Sequence, residues 1–163
     1  MEREVNQVEG EGQKQLVTFN LAGEEYGIDI IQVHEIKRLK EISITKVPRA
    51  PQFVEGVINL RGDVIPVLDL RKRFDLGENK MDRETRIIVV HLDGKSIGVL
   101  VDKVNEVLTV DNSSIDDPPQ EVMQIESYFI SGIAKKEDRL VILLDILNIL
   151  SPQEEAEVAK LTE

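Results

Sequence analysis

The sequence predicts an all-β chain made of two similar small barrels or curled sheets of roughly five strands each, with only short helices. Three observations carry this: an internal duplication, apolar residues alternating with a period of two, and turns bearing glycine or aspartate between the alternating segments.

The duplication emerges when the chain is slid along itself. Leu16–Ile36 lies over Ile87–Val107 at an offset of 71, and Gly56–Leu70 lies over Gly132–Ile146 at an offset of 76, both without a gap. Leu21/Leu92, Gly23/Gly94, Gly27/Gly98, Val33/Val104, Glu35/Glu106, Gly56/Gly132, Leu68/Leu144 and Asp69/Asp145 are identical. Those are 8 identities in 36 positions, where average residue usage gives roughly two or three. Strand-rich segments resemble one another generically, but two gapless blocks in the same order go beyond that.

Along each copy, Val17, Phe19 and Leu21 share one face of a strand, and Ile88, Val90 and Leu92 repeat the pattern. Ala22-Gly23 and Asp93-Gly94 follow with hairpin chemistry. Val64–Leu68 and Leu140–Leu144 are continuous apolar runs, which predicts strands buried on both faces or at a contact between the halves. Pro66 lacks an N–H and predicts an edge strand in the first copy. Asp69 and Asp145 end their strands where they can cap short helices, Leu70–Phe74 and Ile146–Leu150. The segment after Pro152 suits a helix or a frayed end. The organisation is thus an acidic tail over 1–13, a duplicated body over 14–150 divided at about residue 83, and an acidic tail over 151–163. A third core should seal the halves.

Composition narrows the function. The 163 residues carry a net charge of −11, of which the two tails hold −3 each and the body −5. Phosphate backbones and anionic bilayers attract clustered Lys and Arg, so neither nucleic acid nor membrane is the expected partner. With no Trp, four Phe and two Tyr, stacking platforms are not expected. The absence of cysteine removes disulfides, thiolate metal sites and thiol nucleophiles, and fits a reducing compartment. Met1-Glu2-Arg3-Glu4 lacks the apolar run of a signal peptide, so a cytoplasmic location is expected.

Reactive constellations are missing. His34 and His91 have no metal-ligand spacing with each other, and His91 falls on the more polar face of its strand. Asp69 and Asp145 are explained by capping rather than by a carboxylate pair. No GxGxxG, Walker loop or HExxH occurs. The acidic stretch Asp111–Asp117 lacks the spacing and glycine of a calcium loop. The expectation is a binding module without catalytic residues, metal or cofactor. A small barrel hydrolase using Asp69 and Asp145 is the enzymatic alternative.

The copies diverge most sharply at one turn: Asn59-Leu60-Arg61-Gly62 against Lys135-Lys136-Glu137-Asp138. The second is an ordinary charged hairpin tip. The first offers a leucine beside an arginine, a pairing that interfaces favour. The residues alone admit two readings, an interface tip or a tucked Leu60 beside a solvated Arg61.

Tyr26-Gly27-Ile28-Asp29-Ile30, Val33-x-Glu35-Ile36, Gly56-Val57-Ile58-Asn59-Leu60-Arg61-Gly62 and Ile65-Pro66-Val67-x-Asp69-Leu70-Arg71 closely resemble the CheW family. The second half resembles it through Gly98–Asp102, Glu106-Val107-Leu108, Pro118-Pro119, Tyr128–Gly132 and Leu143-Leu144-Asp145, so the likeness runs over about residues 14–150. It implies two SH3-like five-stranded β-barrel subdomains packed side by side. It also implies a non-enzymatic chemotaxis adaptor joining chemoreceptor tips to the regulatory domain of the CheA histidine kinase, recruited to membrane receptor arrays and able to self-associate there. The receptor contacts it implies are Val33, Glu35, Ile36, Asn59, Leu60, Arg61, Val99 and Val104. The kinase contacts are Ile44, Val47, Pro48, Asp116, Glu121 and Val122. Arg61 and Glu35, one opposite-charge pair among aliphatic positions, are expected to pair across the turn. With no ATP-binding, phosphorylatable or receiver segment, a standalone adaptor is expected rather than part of a kinase or a receiver fusion. An adaptor of a related non-motility pathway carries the same residues.

Overall fold

The computed structural model of the chain describes residues 12–78, 81–118 and 129–162. Eleven strands dominate it: β1 Gln13–Leu21, β2 Glu24–Asp29, β3 Val33–Arg38, β4 Val54–Leu60, β5 Asp63–Asp69, β6 Arg86–Leu92, β7 Lys95–Val101, β8 Lys103–Asp111, β9 Ile115–Asp116, β10 Ile130–Lys136 and β11 Arg139–Leu144. Two α-helices join them, α1 Leu70–Arg73 and α2 Pro152–Lys160. The strands form a six-stranded sheet in the order β8-β1-β2-β11-β10-β9 and a five-stranded sheet in the order β3-β6-β7-β5-β4. The all-β prediction holds, and the architecture is consistent with two SH3-like subdomains.

The expected division near residue 83 does not coincide with the sheets. Each repeat contributes its first hairpin to the other repeat's sheet: β1–β2 pairs with β8 and β11, while β6–β7 pairs with β3 and β5. The registers are counterparts residue for residue. Gly27 faces Leu143 in the parallel β2–β11 pair, and Gly98 faces Val67 in β7–β5. Each outer strand carries the same bulge. Val33 and Glu35 face Val90 and Val89, leaving His34 over; Val104 and Glu106 face Phe19 and Thr18, leaving Asn105 over. Equivalent repeats offer equivalent pairing edges, so a hairpin can exchange between them as it does in domain swapping, here within one chain. Only Ile30–Gln32 separates β2 from β3, and only Asp102 separates β7 from β8. Links that short carry the chain straight from one sheet into the other.

Glycines shape the barrel closure. A Cβ on Gly56 would lie 2.4 Å from the Thr45 carbonyl oxygen, and one on Gly132 would lie 2.8 Å from the Ile115 side chain and 3.1 Å from the Asp116 oxygen. The bare backbone lets Thr45 bridge to Val57 in one barrel and β9 pair with β10 in the other.

The third core is present and joins the sheets. Val17, Phe19, Tyr26 and Ile28 pack there with Leu68, Ile88, Val90 and Val101. Ile58, Leu60, Val67, Ile87 and Leu100 fill one barrel, and Leu16, Leu108, Val110, Val141 and Leu143 fill the other. Fully burying aliphatic side chains contributes about 1.5–3 kcal/mol each, so these three clusters dominate the stability of the fold.

Four local expectations are corrected. β5 is interior rather than an edge: Pro66 faces Val57 on the β4 side, and pairing with β7 begins at Val67, so the missing N–H falls just before that ladder starts. The apolar runs are not buried throughout, because Val64 is 48% and Leu140 62% exposed where their strands leave the hairpin tips. Asp69 caps α1, its Oδ1 accepting from the Arg71 and Lys72 N–H groups. Asp145 makes no such side-chain cap, and its counterpart helix is a single 3₁₀ turn, Ile146–Asn148. Finally, 151–163 is not merely a tail: Ser151 and Glu154 form a capping box on α2, and Val158 is buried in the third core.

Candidate partner-docking site

The β4–β5 turn builds the site. Arg61 and Gly62 both have positive φ, 52° and 91°, the signature of a tight hairpin turn. Asn59 locks it, its Oδ1 accepting from the Gly62 N–H at 3.0 Å. Leu60 is buried in its barrel, as the second of the two readings has it, whereas Arg61 stays at the surface and is paired rather than merely solvated.

Arg61 reaches across to β3. Both guanidinium ends donate to the two carboxylate oxygens of Glu35, in a bidentate geometry. Lys37 Nζ lies 3.3 Å from the same carboxylate, and His34 Nε2 lies 3.4 Å from the Arg61 guanidinium. Hydrogen bonding to Arg61 is the main cause that holds the Glu35 carboxyl below its ordinary range. An ion pair this exposed adds little to stability. What it does is fix the position of two charges on the barrel-facing side of β3, where Glu35 stands across from Val89.

Apolar surface lies on the opposite face of β3, where Ile36 stands across from Ile88 of the third core, and on the counterpart strand β8. Val33 and Val104, repeat partners, are half-buried against the third core. Ile36 is exposed, and so are Val107, its repeat counterpart at 50%, and Ile31. Val107 was not among the expected contacts; its place 71 residues after Ile36 is the signal that could have found it.

Of the residues that the resemblance implied for the receptor, Glu35, Asn59 and Arg61 come together at the turn, with Ile36 and Val33 on the same strand as Glu35. Val99 is 0% exposed in the third core and Leu60 is buried in a barrel, so neither offers surface; they shape the site from beneath. Burial on both sheet faces takes away any direct contact from Val99.

The kinase set falls at the barrel closures. Ile44 packs into a barrel core beside the Thr45 bridge, with Val47 half-buried and Pro48 exposed beyond it. Asp116, the repeat counterpart of Thr45, is exposed on β9 and pairs with Lys135 at 2.8 Å. Glu121 and Val122 lie outside the described residues.

A second charge network plugs the other barrel. Arg139 bonds Glu25 at 2.7 Å and Glu106, the counterpart of Glu35, at 2.8 Å. Burial acts to raise the Glu25 carboxyl, but hydrogen bonds from Arg139 and Asn105 outweigh it and hold it low. Its arginine stands two residues past the aligned position of Arg61, which is why matching the copies position by position does not find it. The carboxylates proposed for the enzymatic alternative differ: Asp69 is buried and capping, with its carboxyl pushed up by burial, and Asp145 accepts from the Asn148 side chain. Among the described residues no cluster of three or more His, Asp or Glu could hold a metal ion, and no helix is long and apolar enough to cross a membrane.

Two fused barrels that expose aliphatic residues on β3 and β8 and carry a fixed charge pair at the β4–β5 turn define a binding module. The chain belongs to the CheW family: the model of the CheW-like domain matches residues 15–154. Its relatives include chemotaxis protein CheW of Bacillus subtilis, 39% identical over 86% of this chain and 88% of that protein. The protein of the same name from Klebsiella aerogenes is 35% identical over 93% and 91%. Among solved structures, the scaffolding protein TtCheW from Thermoanaerobacter tengcongensis superposes with a TM-score of 0.79 and 43% identity, covering 86% of this chain and 90% of that one.

Proposed function

We propose that this chain is a non-enzymatic chemotaxis adaptor that joins chemoreceptor tips to the regulatory domain of the CheA kinase. The observation that carries the reading is the Asn59–Gly62 turn, where the repeat is broken and Arg61 is clamped to Glu35 of β3. Membership of the CheW family supports the adaptor role.

Aliphatic residues exposed on β3 and β8, with a fixed charge pair at the β4–β5 turn, suit a helix laid into a groove, its apolar stripe on the aliphatic residues and a polar flank toward the charges. Ile36, Val33 and Val104 would take the stripe of the receptor tip, and Glu35, Arg61 and Asn59 would set its register. Leu60 and Val99 would hold that surface in shape. The kinase domain would meet the barrel closures around Val47, Pro48 and Asp116, with Glu121 and Val122 completing that contact. The adaptor would work in the cytoplasm, drawn to receptor arrays by these protein contacts.

Arg61→Ala tests the reading. Binding of a receptor-tip fragment, measured by calorimetry, should weaken by about tenfold or more, while the melting temperature stays within about 2 °C of the parent. Equal losses in both, or in neither, would remove Arg61 from the site.

A further inference from the structure

One cation sits where the two repeats meet. Phe53 and Phe129 are counterparts at the offset of 76, and their carbonyls accept matching 2.8 Å bonds from the Asp69 and Asp145 N–H groups. The Arg73 guanidinium lies 4.8 Å from the Phe53 ring centroid and 4.9 Å from that of Phe129. The counterpart of Arg73 itself is Ile149, and Arg73 Nε donates to the Ile149 carbonyl at 2.8 Å. The remaining end of the fork bonds Glu154 Oε1 at 2.8 Å, the same oxygen that accepts from the Ser151 N–H in the α2 cap.

We infer that Arg73 is a positioning residue, a cation held between counterpart rings of the two repeats, that sets how the first repeat, the second repeat and α2 lie against one another. The repeats differ here, with arginine in one copy and a buried isoleucine in the other. A planar fork can stack between two rings and still donate along its edges, which an ammonium cannot do. The CheW-like match ends at Glu154, so most of α2 lies beyond it, and Arg73 together with the buried Val158 ties this helix to the body.

The tie has a consequence for surface shape. Glu155, Val158, Ala159 and Thr162 form one wall of an open groove of about 860 Å³, facing the Gly62–Pro66 stretch and the β6–β7 turn, with Val64 and Leu147 exposed in it. The hold of Arg73 on α2 sets the width of that groove.

The test needs no partner, so it stands apart from the adaptor reading. Residual dipolar couplings report the relative orientation of the two sheets, and amide hydrogen exchange reports the docking of α2. Arg73→Gln should speed exchange across α2 by about tenfold or more and rotate one sheet against the other. Arg73→Lys should do both to a lesser degree, and Glu154→Gln should loosen α2 while leaving the sheets in place. Unchanged α2 exchange and sheet orientation in Arg73→Gln would overturn the inference. So would exchange rising equally in β6, β7 and α2, which marks general destabilisation, or full parental behaviour in Arg73→Lys, which would mean that charge alone suffices. Should Arg73→Gln fail to fold, the lysine and Glu154 variants decide the matter.

Discussion

Glu35 is the residue whose ionisation matters most at the proposed docking site. Its carboxyl is held below the ordinary 4.5, first by hydrogen bonding to Arg61 and then by Lys37. A lowered carboxyl contributes its full interaction above the ordinary value and loses it as pH falls through the lowered one. Receptor-tip binding should therefore weaken in acid below the ordinary carboxylate value. Glu35→Gln should bind more weakly at neutral pH and lack that share of the acid dependence. Titration calorimetry from neutral to acid pH checks both, and parallel profiles for the two proteins would exclude the pairing. Glycine makes a second residue-scale case. Gly56→Ala drives a Cβ into a backbone oxygen and should cost about 2–4 kcal/mol, whereas Gly132→Ala meets mainly a side-chain methyl and should cost about 1–2. Urea denaturation distinguishes them, and equal losses would show that the closures are not differently constrained.

At the scale of elements, α2 shows how burial overrides composition. Four of its nine residues are charged and a nine-residue helix is marginal alone. It is held by a capping box, by the Arg73–Glu154 pair and by one side chain, Val158, at 3% exposure. Val158→Ala removes two buried methyl-sized groups and should cost about 1.5–2 kcal/mol. The loss should appear first as faster amide exchange within α2, before any change in the strands. Loss spread evenly through the protein would mean that α2 unfolds only with the whole. The alternation of Val17, Phe19 and Leu21 announced β1 from the sequence, because a strand's faces are set by local geometry. The bulges at His34 and Asn105 were not legible, since a bulge is defined by the strand opposite.

At the scale of the molecule, the reciprocal exchange of hairpins makes the two repeats one folding unit. Residues 14–83 alone hold β1 and β2 without β8 and β11, and β3 to β5 without β6 and β7. Expressed separately, each half should show no cooperative thermal transition by circular dichroism. Mixing the halves should restore the two-sheet structure, seen as a single heterodimer by size exclusion. A half that melts cooperatively as a monomer would mean that it can close its own hairpin back onto itself.

The fold class, the duplication, the capping by Asp69, the absence of reactive motifs and the distinctive Asn59–Gly62 turn were all determined by the sequence, because each depends on residues close together in the chain or on a repeat visible within it. The family likeness was legible for the same reason, through contiguous blocks such as Gly56–Gly62. The pairing of Arg61 with Glu35 was expected on charge and then found. Only the tertiary structure decided that Leu60 and Val99 lie beneath the surface, that Val107 joins the exposed aliphatic residues, and that Arg139 plugs the second barrel. The same holds for the hairpin exchange. Both arrangements satisfy the same local pairing code, and the choice between them rests on how short links and three cores fit together in space.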